Sequence, residues 1–283
     1  LFRASGVDKN DELDALNDDA NFFAWLTEAM EEAAAEGTVL LEIRFGAFWG
    51  IRPGFMAVFR DVEELVRARY PTFHAEAIIS GIWSTRPGVA EVFEACLRAR
   101  DEGLAGIDFT PMPYDSEADW TEAYRWADRA AEVGLGITAH AGEFSSANVR
   151  AALRMPGLSR IGHGVYAAYE PDLLEQIASA GVTVECCLTS NVVLGGVSSL
   201  EEHPIRRSIE AGVPVTLNTD NPVRMRTSIE REYEQAASLG FGPRDLLSFT
   251  RQGVDASFTS EDHKAELLGT LQQYENALGA VAP

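Results

Sequence analysis

The sequence predicts an α/β fold, a (β/α)8 TIM-type barrel lacking its first strand, and three observations lead there. Short runs rich in Val, Ile, Leu and Phe recur along the chain, each followed by a longer stretch of helical periodicity, the pattern of β/α units around a parallel sheet. No Pro- or Gly-rich linker and no shift in composition interrupts the alternation, so residues 1–283 read as one domain. Polar residues gather at the ends of the later runs, where a barrel builds its active site from several loops at once. An open doubly wound sheet is the alternative, but no Gly-rich phosphate fingerprint follows any strand.

The elements follow in order. Asp18 to Glu36 carries helical periodicity and precedes the first recognisable strand. The strands then read Val39–Phe45, Ala75–Ile82, Leu104–Phe109, Gly136–His140, Arg160–His163, Val182–Leu188 and Pro214–Asp220. Amphipathic helices lie between them: Ser116 to Val133 sets Trp120, Tyr124 and Ala127 on one face, and Pro171 to Ala180 does the same with Leu173, Leu174 and Ile177. A closed barrel of this class has one strand more. Because no strand is legible before Asp18 and the chain starts at Leu1 without a methionine, the missing first strand is expected upstream of Leu1.

Composition narrows the partners. Hydrophobic residues make up 46% and charged residues 24%, ordinary globular values that supply a sizeable core. Forty-four acidic residues against 23 basic ones give a net charge of -21, which argues against nucleic acid and anionic membrane surfaces. The acidic residues recur on helical faces such as Asp61–Glu64 and Glu230–Glu234, where they serve solubility. Cys96, Cys186 and Cys187 show no structural-zinc spacing, which suits a reducing, cytoplasmic setting. No apolar run approaches the roughly 20 residues of a membrane span, and no signal-peptide pattern is present.

The most informative stretch is Gly136-Ile-Thr-Ala-His-Ala-Gly-Glu143, an apolar run that ends in a histidine with a carboxylate three residues on. Such an imidazole can hold a metal and such a carboxyl can move a proton beside it, although the same pattern describes a packed histidine and a solvated glutamate. The neighbouring strands decide the matter. The last residues of the four C-terminal strands are His140 with Glu143, His163, Thr189-Ser190-Asn191, and Asp220-Asn221, all at one mouth. Singly, His163 also reads as a strand-end residue between two glycines, and Asp220 as a helix N-cap before Pro222. Burying such groups unpaired costs on the order of a few kcal/mol each, so four successive polar strand ends point to a shared site.

These segments, Thr138-Ala-His-Ala-Gly-Glu143, Arg160-Ile-Gly-His-Gly164, Leu188-Thr-Ser-Asn191 and Leu217-Asn-Thr-Asp-Asn-Pro222, resemble in order and spacing the motifs of the adenosine deaminase family of zinc aminohydrolases. Glu42-Ile-Arg44 and Gly106-Ile-Asp108 are similar to that family's second and fourth strands, and the resemblance runs from about residue 20 to 275. It implies a barrel of the metal-dependent hydrolase kind, one Zn2+ per chain, and hydrolytic deamination of a 6-amino purine nucleoside, adenosine or a derivative. By this resemblance His140 and Asp220 are zinc ligands, and the metal lowers the pKa of a bound water that attacks the amine-bearing carbon. Glu143 protonates the neighbouring ring nitrogen, a role that needs a carboxyl raised by burial. His163 orients the attacking hydroxide, and Gly142, Ser190 and Asn221 bind the substrate.

Three departures from the family pattern qualify this expectation. The family's His-x-His pair at the first strand is absent; His74 stands at a strand start and His203 in a predicted helix. Two protein ligands hold zinc weakly, so an upstream segment carrying the pair is expected, or else a barrel that binds a ligand or partner without catalysis. Asn221 replaces a second aspartate, and an amide donates to a purine nitrogen without having to be protonated. Pro111 replaces a glycine whose N–H meets the substrate, so the loop Thr110–Tyr114 is expected to shape the pocket differently. An amide- or ester-cleaving hydrolase with two metals is disfavoured because no lysine ends a strand.

Overall fold

The computed structural model describes residues 19–82 and 87–281. The expectation that no strand precedes Asp18 lies outside those residues. The chain divides into two compact units, residues 1–41 with 53–75, and residues 42–52 with 76–283.

In the first unit, helices α1 (Asp19–Ala35) and α2 (Phe55–Arg67) each bury one stripe. Phe22, Leu26, Met30 and Ala34 recur every fourth residue on α1, and Phe55, Phe59, Val62 and Val66 line α2. The Phe22 and Phe55 rings lie 6.1 Å apart. Glu63, buried on α2, accepts from the Ala75 amide at 3.1 Å and stands 3.5 Å from His74 Nδ1. His74 thus has a structural partner, in keeping with its place at a strand start.

The strands form one parallel sheet in sequential order: β1 (Leu40–Gly46), β2 (His74–Ile82), β3 (Gly106–Phe109), β4 (Gly136–Ala141), β5 (Leu158–His163), β6 (Thr183–Cys186) and β7 (Val215–Leu217). Helices α3 (Val89–Ala99), α4 (Thr121–Glu132), α5 (Val149–Ala152) and α6 (Pro171–Ala180) connect β2 through β6. Sequential parallel strands with helical crossovers are the connectivity of the (β/α)8 barrel, with one strand fewer among the described residues. The seven predicted strands are all present. Strands β3, β6 and β7 are shorter than predicted; β6 stops before Leu188, which opens helix α7 (Leu188–Val193), and β7 starts only after Pro214, which has no N–H to give the ladder.

The sheet interior is polar. Arg160 bridges Glu42 and Glu185, Arg44 bonds Glu185, and Thr138 Oγ1 lies 3.2 Å from Glu185 Oε2. At the N-terminal ends of β3 and β4 the Phe258 ring lies flat on the backbone. A Cβ added at Gly136 would meet that ring at 2.2 Å and one at Gly106 at 2.5 Å, so both positions need glycine. The Arg160 guanidinium covers the Phe258 ring at 3.6 Å. Helices α8 (Ile205–Glu210), α9 (Pro222–Met225), α10 (Ile229–Ser238), α11 (Pro243–Ala256) and α12 (Glu261–Val281) complete the chain.

Candidate active site

The predicted site residues stand where strands β4 to β7 end. Two of them bend the backbone to get there: among the described residues only His163, Asp220 and Arg226 are non-glycine residues with positive φ, at 68°, 56° and 52°. Such conformations cost about 1 kcal/mol or more and persist where the surroundings enforce them. Between His140 and Glu143 the chain turns at Gly142, φ 82°, where a Cβ would come within 3.0 Å of the Gly164 Cα. Glycine there lets the β4 and β5 ends close on one another, which brings Glu143 beside His163.

His140, partly exposed, sets Nδ1 2.7 Å from Asp108 Oδ2, and the same carboxylate oxygen accepts from Ser80 Oγ at 2.9 Å. Burial opposes ionisation of Asp108, but the His140 and Arg44 charges outweigh it and hold the carboxyl at about 2. In return, burial pushes the His140 imidazole down while Asp108 pulls it up further, for a net rise. Glu143 is buried, with Oε2 3.7 Å from His163 Nε2 and 2.7 Å from the Tyr114 hydroxyl that donates to it. Burial raises the Glu143 carboxyl, only partly countered by the Tyr114 hydrogen bond. Burial, aided by His140, pushes the His163 imidazole down to about 3, so it is neutral near pH 7.

On the other side Ser190, fully buried, donates to Asp220 Oδ2 at 2.6 Å. Its neighbour Asn191 contacts His163 Nδ1 through Nδ2 at 3.2 Å. Thr189, Ser190 and Asn191 lie on α7 and not at the end of a strand as predicted, because α10 supplies partners for that turn: Glu232 accepts from the Thr189 amide and Gln235 donates to its hydroxyl. The N-cap role also considered for Asp220 falls to Asn221, whose side-chain oxygen accepts from Arg224 N at 2.9 Å. His203 is not in a helix; it sits buried in the turn before α8.

His140 and Asp220 would supply two of the donors that the expected zinc site needs. The contact of His140 Nδ1 with a buried carboxylate is the arrangement that presents the other ring nitrogen to a metal. Asp220 offers a second donor. A catalytic zinc takes three protein ligands, and among the described residues no group of three His, Cys, Asp or Glu side chains is arranged to hold a metal ion. These residues therefore do not complete the site on their own.

Sequence reasoning reached Tyr114 only as the end of a loop expected to shape the pocket, without its bond to Glu143, and Arg44 and Asp108 only within strands similar to the family's. The signal for the charged residues was available: Glu42, Arg44, Asp108, Arg160 and Glu185 interrupt otherwise apolar strands, which marks an inward-facing polar network.

Comparison with known proteins comes to the same place. A family model described as adenosine deaminase matches residues 12–274. An adenine deaminase of Sinorhizobium medicae is 40% identical over 259 residues, covering 88% of this chain and 79% of its own. An adenosine deaminase of Erwinia tasmaniensis is 33% identical over 259 residues, with 86% and 75% covered. The crystal structure of an amidohydrolase from Burkholderia ambifaria, with bound Zn, shares the fold at a TM-score of 0.81 and 23% identity, over 97% of this chain and 79% of that one.

Proposed function

The chain belongs to the adenosine deaminase family, and from that premise we propose that it deaminates a 6-amino purine hydrolytically, releasing ammonia and the 6-oxo product. The observation that carries this reading is Glu143, buried, raised in pKa and set beside His163. A carboxyl whose pKa is raised by burial keeps its proton to higher pH than a free one and can hand it to the ring nitrogen next to the amine-bearing carbon, which opens that carbon to water. Tyr114 holds Oε2 of Glu143, so Oε1 is the oxygen left for the purine. His163 and Asp220 flank the incoming oxygen, Ser190 steadies Asp220, and Gly142 and Asn221 meet the base. The family's zinc would take His140 Nε2 and Asp220, two donors where three are needed; the roles given above are those of the side chains.

The relatives carry the names of both adenine and adenosine deaminases, so the 6-amino base is the shared element and a nucleoside is the finer proposal. Residues 1–283 acting as one domain, with neither nucleic acid nor membrane as partner, belong to the same proposal. No helix among the described residues is long and apolar enough to cross a membrane. Cys96, Cys186 and Cys187 are free thiols, which supports the reducing, cytoplasmic setting.

Ammonia release from adenine and adenosine tests the reading, with Glu143→Gln expected to lower turnover by about a hundredfold or more while the protein stays folded. Full activity in that variant would sink the mechanism. The incomplete donor set favours one second reading, a barrel that binds a purine or a partner without turning it over. It predicts saturable adenosine binding with no ammonia at any zinc concentration.

A further inference from the structure

The buried side chains behind His163 form a line that the roles above do not use. Asn191 is fully buried, His163 is 4% exposed and His203 7% exposed. The Ile205 amide lies 3.2 Å from His203 Nδ1, His203 Nε2 lies 3.2 Å from Asn191 Oδ1, and Asn191 Nδ2 lies 3.2 Å from His163 Nδ1. From this line we infer that Asn191 and His203 are positioning residues that fix His163 as the neutral tautomer with its proton on Nε2, so that it meets the reacting oxygen as a hydrogen-bond donor and not as a base. The inference rests on the deaminase reading only for its consequence in turnover; the tautomer stands on the geometry.

The direction of the line follows from its one group that cannot be turned round. A backbone N–H only donates, so His203 Nδ1 accepts from Ile205 and carries no hydrogen. A neutral imidazole has one N–H, which then sits on His203 Nε2 and donates to Asn191 Oδ1. With its oxygen committed, Asn191 turns its amide nitrogen to His163, and an N–H pointing at Nδ1 requires that nitrogen to be bare. Reversing the Asn191 amide would place N–H donors against both nitrogens of His203, which only an imidazolate could accept. Cys186 Sγ, 3.9 Å from His203 Nε2, is a weak second partner that leaves the polarity unchanged. The same geometry makes both rings neutral, since an imidazolium would set an N–H against the Ile205 amide at His203 or against the Asn191 amide nitrogen at His163.

The consequence lies on the other edge of His163. Its Nε2 faces the site, 3.7 Å from Glu143 Oε2. When water adds to the purine, negative charge collects on the incoming oxygen; an N–H there stabilises it, whereas a bare nitrogen would repel it. Removal of the water proton then falls to another group, and the carboxylate at the neighbouring strand end is Asp220, held by Ser190 at 2.6 Å.

Nitrogen-15 NMR of the imidazoles in the full chain reads the tautomer without any need for turnover. The expected spectrum has His163 Nε2 of the protonated type and Nδ1 of the bare type. In His203→Ala, Asn191 loses the donor that orients it. His163 is then expected to mix tautomers, with kcat down about tenfold or more and KM within about twofold. His203→Gln keeps an N–H for Asn191 Oδ1 and should restore both the tautomer and most of kcat. Should His203→Ala fail to fold, Asn191→Asp serves instead: it offers only an acceptor to Nδ1 and should move the proton there. A wild-type His163 protonated at Nδ1, or a single Nε2–H tautomer retained in both His203→Ala and Asn191→Asp, overturns the inference. A wild type that releases no ammonia from any purine overturns the deaminase reading instead, and the spectrum still decides the tautomer.

Discussion

Tyr114 donates a 2.7 Å hydrogen bond to Glu143, and that bond favours the ionised carboxylate. Burial works the other way and is the larger effect. In Tyr114→Phe the opposing bond is gone, so the Glu143 pKa rises further and the protonated, working form persists to higher pH. The alkaline limb of kcat against pH is therefore expected to shift upward in Tyr114→Phe; a downward shift would contradict the assignment of Glu143 as the proton donor. The sequence showed Glu143 as a site residue but Tyr114 only as part of a pocket loop, and the reason is physical. A polar residue that ends an apolar run breaks a periodic pattern, as His140, His163 and Asp220 also do. A tyrosine in a loop that reaches a carboxylate 29 positions away leaves no such trace.

The loop that carries Tyr114 is held by one side chain at the start of α5. Asn148, 1% exposed, accepts from the Ala118 amide and the Trp120 indole, and shares its own N–H groups among the carbonyls of Pro113, Tyr114 and Ser116. Replacing it with alanine strands several buried polar groups. Asn148→Ala should cost about 2 kcal/mol or more in denaturant unfolding and raise KM, because Tyr114 is no longer held over Glu143. An unchanged midpoint and KM would show that the loop is organised by other contacts. At this scale strands and long helices were legible from periodicity, while the turn Leu188–Asn191 was not. Leu188 looks like the end of a strand, and what bends it into a helix is α10, some forty residues further on. Local pattern cannot register a partner at that separation.

Across the whole molecule, the sequential order of the strands was legible because each β/α unit repeats the same alternation. The polar interior was legible only in part: Glu42, Arg44, Arg160 and Glu185 stand out in the strands, but which pairs with which depends on the register between strands. Such buried pairs add little net stability, because desolvation offsets their attraction. The buried neutral histidine His203 makes a global property testable. Its folded pKa of about 4 lies below the ordinary 6.5, so the unfolded chain takes up a proton first as the pH falls. The stability that His203 contributes is complete above 6.5 and is lost as pH drops through 4, on the order of 3 kcal/mol. His203→Gln should flatten the stability profile across that window in denaturant melts, and a slope equal to wild type would contradict it.

Among the described residues β1 pairs on one side with β2, and β7 on one side with β6, which leaves two margins for the strand expected upstream or for a strand of another molecule. A free margin invites a second molecule to add its own strand. Three features resist this, the first two being that β7 spans only Val215–Leu217 and that β1 carries Glu42 and Arg44. The third is bulk repulsion between chains that each carry a net charge of -21. That last defence is electrostatic, and at 1 M salt the Debye length shrinks to about 3 Å. Light scattering of residues 1–283, with no further strand supplied at those margins, is therefore expected to report self-association as salt is raised. A purification carried out in dilute buffer would recover a different assembly from one that ends in a concentrated salt step.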